Sequence, residues 1–275
     1  MTEVAGVVIP AHNEAAVLGR TLARLLAEAA PGELDVVVVA NACTDGTAEI
    51  AQEAGARVIE TPVPGKTHAL RLGDAACRAF PRVYLDADVE LSTASVRALA
   101  AALARPGVLA AAPVPVWELA GSGWLARRVH RVHDQLIGPR RALAGVGVYA
   151  LSETGHNRIF PLPDVIADDE LVHRSFTPAE RAVVPEARSV IRPARTVRAH
   201  LNRRVRVRQG NRQLAELGLP AREGRLGVRS LVALVGRRAV SPLDAACYLA
   251  VLVADRALAA RRRGGITWAT DASSR

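Results

Sequence analysis

Short runs of β-branched residues alternate with segments rich in Ala and Leu over the first 116 residues of this 275-residue chain. The runs are apolar at consecutive positions, which is typical of parallel strands buried on both faces. The segments between them are long enough to form crossover helices. The predicted strands cover residues 4–10, 35–40, 57–61, 82–85 and 108–116, and the predicted helices cover 15–29, 47–54, 67–79 and 92–104. The alternation therefore predicts an α/β fold with a mostly parallel central sheet flanked by helices.

Polar clusters follow three of the predicted strands. They are His12-Asn13-Glu14, residues 41–45, and Asp86-Ala87-Asp88. In doubly wound sheets, ligands bind beyond the carboxyl ends of the strands. Because polar residues recur at this one edge, the sequence predicts a ligand site there.

The alternation breaks down after residue 117. The remainder predicts an Arg- and His-rich helix that ends near residue 138, a strand over 145–151, a short helix over 168–176 and a terminal amphipathic helix over 242–261. We expect a main domain over 1–212, divided at residue 116, and a basic helical C-terminal extension over 213–275.

Charge and cysteine usage limit the cellular setting. The formal net charge is +9; residues 1–180 carry a net charge of −5, and residues 181–275, with their excess of arginine, carry +14. This excess indicates either an anionic partner, such as a phosphate or a membrane surface, or simply a solvated Arg-rich surface. The three cysteines have no CxxC spacing, so neither a zinc site nor a disulfide framework is expected. No targeting segment and no run of about 18 apolar residues is present, so we expect a cytoplasmic protein.

Asp86 and Asp88 flank one residue directly after an apolar predicted strand. Two carboxylates in such a place can bind a hard divalent cation, Mg²⁺ or Mn²⁺, together with nucleotide oxygens. A strand-end turn carrying two solvated acids is the alternative, and the motif alone does not decide between them.

Lys66 is the only lysine among 36 basic residues. Since the composition otherwise favours arginine, a single lysine indicates a position that requires a compact ammonium rather than a planar guanidinium. The sequence Gly65-Lys66-Thr67 is not a P-loop, because Glu60 stands where that motif needs glycine. The alternative is an incidental exposed lysine.

Three consecutive acids, Asp168, Asp169 and Glu170, begin the predicted short helix. Simple interaction with the positive end of the helix dipole is one explanation. The functional explanation is a general base that takes a proton from an acceptor hydroxyl. Crowding of the carboxylates is expected to raise the pKa of one of them, which would suit that task.

Polar residues of the second cluster have two interpretations. Asp45 suits a tight turn that leads to a helix N-cap at Thr47, whereas Asn41, at the end of its strand, is the better candidate for contacting a nucleotide base. His12 and His200 lie near polar clusters and could contact ligand or metal, although an ordinary structural histidine is the commoner case.

These motifs, taken in order, resemble glycosyltransferase family 2 of the GT-A fold. The resemblance covers about residues 4–212 and is strongest in the opening Ile-Pro-Ala-x-Asn-Glu. It implies a nucleotide-sugar-binding half over 1–116 and an acceptor half over 117–212, with inverting transfer from a nucleotide-diphosphate sugar. The motifs that carry it are residues 9–14, 41–47, Gly65-Lys66, Asp86-Ala87-Asp88 and Asp168-Asp169.

The resemblance also assigns roles to individual residues. It places Asp86 against the ribose or the sugar, Asp88 on Mg²⁺ or Mn²⁺, and the general base at Asp169, with Asp168 in the preceding acidic position. Residues 145–150 are similar to the acceptor-side strand, and residues 203–211 are similar to the Gln-x-x-Arg-Trp region. The residues implied to bind the nucleotide-sugar are Pro10, Ala11, Asn13, Glu14, Asn41, Asp45, Lys66, Asp86 and Arg206.

The chain also departs from the family pattern. Asn41 stands where the family usually has an acid that contacts the base, so the resemblance does not predict uridine. Val207 replaces the Trp and Arg203 replaces the Gln of the later motif, which argues against a processive polysaccharide synthase. Arg206 keeps its place and is expected to contact the diphosphate.

Two other functions remain as alternatives. A sugar-phosphate nucleotidyltransferase would normally carry a Gly-rich loop where His12-Asn13-Glu14 stands. A non-catalytic protein that binds anionic surfaces is the second. Residues 242–263 also suit peripheral contact with an anionic membrane. Nucleic-acid binding is not expected, because the basic region has almost no aromatic residues for base stacking. The expected partners are a nucleotide-sugar donor and a hydroxyl-bearing acceptor, which could be a small molecule, a lipid or a glycan.

Overall fold

The computed structural model describes residues 5–138, 142–193, 196–219 and 228–261. They form two compact units. The first takes in residues 5–117 and 142–191, and the second takes in the described residues of 118–138 and of the chain after 191. The predicted boundary after residue 212 therefore falls inside a helix of the second unit, Val197–Glu216.

The first unit contains eight strands, six α-helices and a single-turn 3₁₀ helix, Pro178–Glu180, among its described residues. Its strands are β1 (Ala5–Ala11), β2 (Leu34–Asn41), β3 (Arg57–Thr61), β4 (Arg82–Leu85), β5 (Glu90–Leu91), β6 (Ala110–Trp117), β7 (Val148–Leu151) and β8 (Arg181–Ile191). Its α-helices are α1 (Ala15–Leu26), α2 (Thr47–Glu53), α3 (Lys66–Ala76), α4 (Thr93–Leu103), α6 (Glu153–Ile159) and α7 (Asp168–Ser175); α5 (Trp124–Ile137) belongs to the second unit.

All eight strands join one sheet in the order β3-β2-β1-β4-β7-β6-β8-β5. The pairs from β3 to β4 are parallel, as is the pair β6–β8, whereas β7 runs antiparallel to both β4 and β6. The predicted α/β fold with a mostly parallel sheet is confirmed. The strand predicted over 108–116 is β6, and it lies beyond the antiparallel β7 rather than within the parallel series.

Burial of the strands on both faces of the sheet explains why the strands in the first half of the chain could be predicted from the sequence. Every residue of β1 is buried, as are all but the first of β2; β1 is apolar throughout, and β2 is apolar between Asp35 and Asn41. Gly73 of α3 permits close packing on the sheet, because a Cβ there would lie 2.5 Å from Val8 Cγ1. The predicted helix over 67–79 is shorter than expected: α3 ends at Ala76, and the Arg78 backbone N–H donates instead to Asp35.

Two strands differ from the sequence prediction. β7 begins at Val148 instead of residue 145, because Gly145 and Gly147 have φ values of 75° and 66°, which belong to turns. β8 has eleven residues and was not predicted. Its buried residues alternate with exposed ones that include Val183, Glu186 and Arg188, and it contains Pro185, so its sequence resembles a loop.

The second unit is helical where it is described. It comprises α5 (Trp124–Ile137), α8 (Val197–Glu216), α9 (Val228–Gly236) and α10 (Pro242–Arg261). Two buried aspartates hold arginines: Asp244 binds Arg128 of α5, and Asp255 binds Arg204 and Arg208 of α8. Its apolar core contains Val129, Val132, Leu136, Leu231, Leu234, Val240, Ala245, Tyr248 and Val251.

Helix α10 has the predicted bounds but not the predicted amphipathic character. Leu243, Leu249 and Val253 are exposed, while Asp244 and Asp255 are buried, so apolar residues occupy both its faces. None of the helices described in the structure is long and apolar enough to span a membrane. Contact with a membrane surface, which was predicted partly from residues 262–263 outside the described range, stays a prediction.

Candidate active site

A cleft opens in the first unit beyond the carboxyl ends of β1 and β4. It brings together four charged residues of the sequence prediction, Lys66, Asp86, Asp168 and Asp169, although they come from distant parts of the chain. The order of strands in the sheet explains this, because β7, which leads toward α7, pairs directly with β4. The lining residues are Pro10, Lys66, Leu70, Tyr84, Leu85, Asp86, Gly147, Tyr149, Asp168 and Asp169.

Lys66 lies at the start of α3 and forms two ion pairs. Its Nζ is 2.7 Å from Asp86 Oδ1 and 3.0 Å from Asp168 Oδ1. Burial disfavours the charged ammonium, but Asp168, Asp86 and Asp169 outweigh this effect and raise the pKa of Lys66. The structure therefore excludes an incidental exposed lysine, and Lys66 is charged in the free protein.

Asp168 is the most buried acid of the cleft, with 2% of its surface exposed. Burial raises its pKa to about 6; Lys66 opposes this rise, whereas Asp169 and Asp86 add to it. Its Oδ1 binds Lys66, but its buried Oδ2 has no hydrogen-bond partner. The expected crowding effect is therefore present at Asp168, and burial is its largest cause.

The three consecutive acids have three different environments. Asp169 is half-buried, and its two oxygens accept hydrogen bonds from the backbone N–H groups of Gly145 (2.7 Å) and Glu170 (2.8 Å). Glu170 forms an ion pair with Arg174 one turn later in α7, at 2.8 Å. Simple capping therefore does not describe the cluster, because the first two acids line the cleft and the third stabilises the helix.

Asp86 and Asp88 lie on a tight turn after β4, in which the Val89 N–H donates to the Asp86 carbonyl. The Asp86 N–H in turn donates to the Gly147 carbonyl at 2.9 Å. Gly147 is required here twice over, by its positive φ and because a Cβ would lie 2.5 Å from Val89 Cγ2. Both aspartates are half-buried, and Asp86 but not Asp88 lines the cleft.

Hydrogen bonds join the loop after β1 to the loop after β2. They are formed by residues that the sequence predicted to bind the nucleotide-sugar. Asn13 has a φ of 53°, and its Oδ1 accepts from the Thr44 N–H at 2.8 Å. The oxygens of Asp45 accept from the N–H groups of Ala15 and Thr47, both at 3.2 Å. The Glu14 N–H donates to the Thr47 hydroxyl. These contacts fix the shape of the strand-end loops, with Pro10 of β1 lining the cleft.

Asn41 is in a different position from the one expected of a base-contacting residue. It is 1% exposed, its Nδ2 donates to the Ala11 carbonyl at 2.6 Å, and its Oδ1 accepts from the Gly65 N–H at 3.2 Å. Both ends of the amide thus bond to backbone, and the side chain ties β1 to the loop that carries Lys66.

Two predicted residues lie in the second unit. Arg206 is on α8 and half-buried. His200, also on α8, is buried and packs edge-on against His130, with ring centroids 5.3 Å apart. Burial, and then the neighbouring His130, lower the pKa of His200 to about 4. Throughout the described part of the chain, no three His, Cys, Asp or Glu side chains form a ready-made metal site.

Sequence reasoning missed Tyr149 of β7. Its ring is stacked on that of Tyr84, with centroids 4.8 Å apart, and its buried hydroxyl has no hydrogen-bond partner. The chain has only three tyrosines, and an aromatic residue in an acceptor-side strand was a signal that could have been followed.

Comparisons with known proteins agree with this architecture. The family model for glycosyl transferase family 2 matches residues 6–159, which is more than half of the chain. No curated protein matches the chain.

Solved structures of low sequence identity share the fold. A mannosyltransferase from Pyrobaculum calidifontis, in complex with GDP-Man and Mn²⁺, is 21% identical with a TM-score of 0.62, covering 97% of this chain and 77% of that one. Glucosyl-3-phosphoglycerate synthase from Mycobacterium tuberculosis, in complex with Mn²⁺, UDP and glucosyl-3-phosphoglycerate, is 21% identical with a TM-score of 0.55, covering 81% and 82%. The structure of the same enzyme with Mg²⁺ and UDP is 20% identical in sequence, with a TM-score of 0.53 and the same coverage of both chains. The chain therefore belongs to glycosyltransferase family 2, has the GT-A fold, and is an enzyme of glycosyl transfer.

Proposed function

We propose that the chain transfers a sugar, with inversion, from a nucleotide-diphosphate sugar to an acceptor hydroxyl. The cleft carries this proposal, because it gathers Lys66, Asp86, Asp168 and Asp169 beyond the carboxyl ends of the strands. That edge is where open α/β sheets bind ligands. The solved relatives support the donor class, since their complexes contain GDP-Man or UDP.

A divalent cation fits the acids of this site. Asp86 and Asp88 offer carboxylate oxygens, which hard cations such as Mg²⁺ and Mn²⁺ prefer. The described residues form no three-ligand site, so we expect nucleotide and water oxygens to complete the coordination, as is usual for Mg²⁺. Bound there, the cation would neutralise charge on the leaving diphosphate. The relatives were solved with Mn²⁺ or Mg²⁺, which supports this assignment.

We assign the general base to Asp169. The backbone N–H groups of Gly145 and Glu170 hold its carboxylate in place, so little side-chain freedom is lost when a substrate arrives. A carboxylate has about four acceptor sites, and these two bonds leave room for an acceptor hydroxyl. Asp168 is less suited to accept that proton, because its Oδ1 is bound to Lys66 and its surface is 2% exposed.

The transfer step then has a simple balance. Asp169 takes the proton of the acceptor hydroxyl, and the oxygen attacks the anomeric carbon from the side opposite the diphosphate. The bond from that carbon to the diphosphate oxygen breaks, and its electron pair leaves with the nucleoside diphosphate. Attack from the opposite side inverts the anomeric configuration.

The other predicted residues receive narrower roles. We propose that Asn13, Glu14, Asn41 and Asp45 shape the loops against which the nucleotide binds, since hydrogen bonds of these residues join the loop after β1 to the loop after β2. Contact between Arg206 and the diphosphate stays a prediction from sequence likeness, as does the weaker assignment of His200 to the metal.

Substitution of Asp169 by Asn tests the proposal. We expect release of nucleoside diphosphate from GDP-Man or UDP-glucose, in the presence of Mn²⁺, to slow by about 100-fold or more, because general bases contribute factors of that order. Binding of the nucleotide, measured by thermal shift, should persist. Glu170→Gln is the matched control, since Glu170 bonds to Arg174 on the same turn of α7.

Near-normal turnover by Asp169→Asn would contradict the assignment of the base. Release of pyrophosphate from a nucleoside triphosphate and a sugar phosphate would instead favour the nucleotidyltransferase alternative. Binding without any turnover by the unmodified protein would favour the non-catalytic alternative.

A further inference from the structure

The Tyr149 hydroxyl is a buried polar group that the proposed mechanism does not use. Tyr149 is 3% exposed, and its Oη has no hydrogen-bond partner. Burying a hydroxyl without a partner costs free energy, and most buried polar side chains avoid it. The ring itself is held by stacking on Tyr84, and Tyr149 is one of the residues that line the cleft.

A second buried polar atom without a partner belongs to another residue that lines the same cleft. Asp168 Oδ2 is buried and unpartnered, while its twin Oδ1 is held by Lys66. Tyr149 and Asp168 line the same small cleft, and, after burial, the negative charge of Asp168 is the largest cause of the raised pKa of Tyr149. The Tyr149 hydroxyl can both donate and accept a hydrogen bond, whereas Asp168 Oδ2, as a carboxylate oxygen, can only accept one.

The hydrogen-bonding capacity of the Tyr149 hydroxyl and Asp168 Oδ2 indicates which kind of ligand group they can bind together. A phenol that donates and a carboxylate oxygen that accepts can both be satisfied by an alcohol, because a hydroxyl is at once acceptor and donor. A phosphate oxygen offers no proton to Asp168, and Asp169, the next residue along the chain, adds a further carboxylate that repels it. The surroundings of Tyr149 therefore suit a neutral, hydroxyl-bearing part of a ligand rather than its diphosphate.

We propose that Tyr149 Oη and Asp168 Oδ2 together bind a hydroxyl group of the sugar carried by the donor. This inference rests on the proposed function, and it adds a residue that recognises the transferred sugar. The donor is favoured over the acceptor because Lys66 links Asp168 directly to Asp86, the acid assigned to the donor side. Tyr149 is then a specificity-determining residue rather than a catalytic one.

Replacement of Tyr149 by Phe tests the pair without disturbing the stack on Tyr84. Dissociation constants are measured by calorimetry, with Mn²⁺ and without acceptor, for GDP-Man against GDP and for UDP-glucose against UDP. We expect the variant to bind the preferred nucleotide-sugar about three- to tenfold more weakly, the usual value of one hydrogen bond, and the matching nucleoside diphosphate unchanged. The melting temperature of the ligand-free variant should not fall, because the lost hydroxyl has no partner in the protein.

Tyr248→Phe is the matched control, because it removes a buried phenol hydroxyl from the core of the second unit. It should leave the difference between nucleotide-sugar and nucleoside diphosphate unaltered. If Tyr149→Phe binds both ligands as the unmodified protein does, or weakens both equally, the inference is overturned while the proposed function stands. If the unmodified protein binds none of the four ligands, the proposed function fails and the inference fails with it.

Discussion

Removal of the Lys66 ammonium is the perturbation whose outcome the structure constrains most closely. Lys66→Met keeps the length and the apolar stem of the side chain but leaves Asp86 and Asp168 without their shared cation. Asp86 is 37% exposed at its side chain, so water replaces much of what it loses. Asp168 is buried, and breaking a buried pair by removing one partner typically costs about 3–5 kcal/mol.

Protonation limits that cost for Asp168. Its pKa is already raised from 3.8 to about 6, so in the unmodified protein this group destabilises the fold as the pH rises from 3.8 to 6, and the effect levels off above 6. Without Lys66 the folded-state pKa rises further, and the loss continues above pH 6. Since one pH unit corresponds to about 1.4 kcal/mol, the part due to Asp168 is near zero at pH 5, at most about 1 kcal/mol at pH 7 and at most about 3 kcal/mol at pH 8.

Urea unfolding of both proteins at pH 5, 7 and 8 measures this difference. The loss of unfolding free energy in Lys66→Met should grow with pH by at least about 1 kcal/mol between pH 5 and 8. Arg212→Met is the control: Arg212 pairs with Glu216 at a site where their side chains are 85% and 64% exposed, so its effect should be small at every pH. An equal loss at pH 5 and pH 8 for Lys66→Met would refute the reasoning.

Two further substitutions test the packing around the site and in the helical unit. Gly147→Ala should cost about 2–4 kcal/mol of unfolding free energy, because strain at φ 66° adds to a contact of 2.5 Å with Val89; Gly145→Ala, at φ 75° with open space around it, should cost only the strain, about 1–2 kcal/mol. Asp255→Asn should cost about 3 kcal/mol, because Asp255 is 2% exposed and holds two arginines of α8. Urea unfolding checks both, and equal costs for the two glycines, or no cost at Asp255, would contradict these assignments.

The sequence predicted the first half of the fold because the relevant signals are local. Apolar runs such as β1 and β2 are buried on both faces, so period and propensity are enough to find them. β8 escaped prediction because only about every second residue is buried, while its exposed positions mix Val183 and Pro185 with the charged Glu186 and Arg188. β7 begins later than predicted because Gly145 and Gly147 adopt turn conformations, and a pattern of hydrophobicity does not reveal such backbone angles.

The sequence also predicted only part of the candidate site: it located several of the residues but not the contacts between them. Asp86 and Asp88 could be located from a strand end, and Lys66 from its being the single lysine, because both are features of position and composition. The sequence could not show that Lys66 bonds to Asp86 and Asp168, since that depends on β7 pairing with β4 across a long separation along the chain.

What the sequence determined by itself is the α/β alternation, the family and the edge of the sheet at which the polar residues stand. Only the tertiary structure decided the environment of each acid. Asp168 is buried and paired with Lys66, and Asp169 accepts hydrogen bonds from two backbone N–H groups. Glu170 forms an ion pair with Arg174. Three adjacent residues on a helix point in different directions, about 100° apart, so their neighbours come from different elements. Burial and pKa follow from those neighbours, and the residue types alone do not contain them.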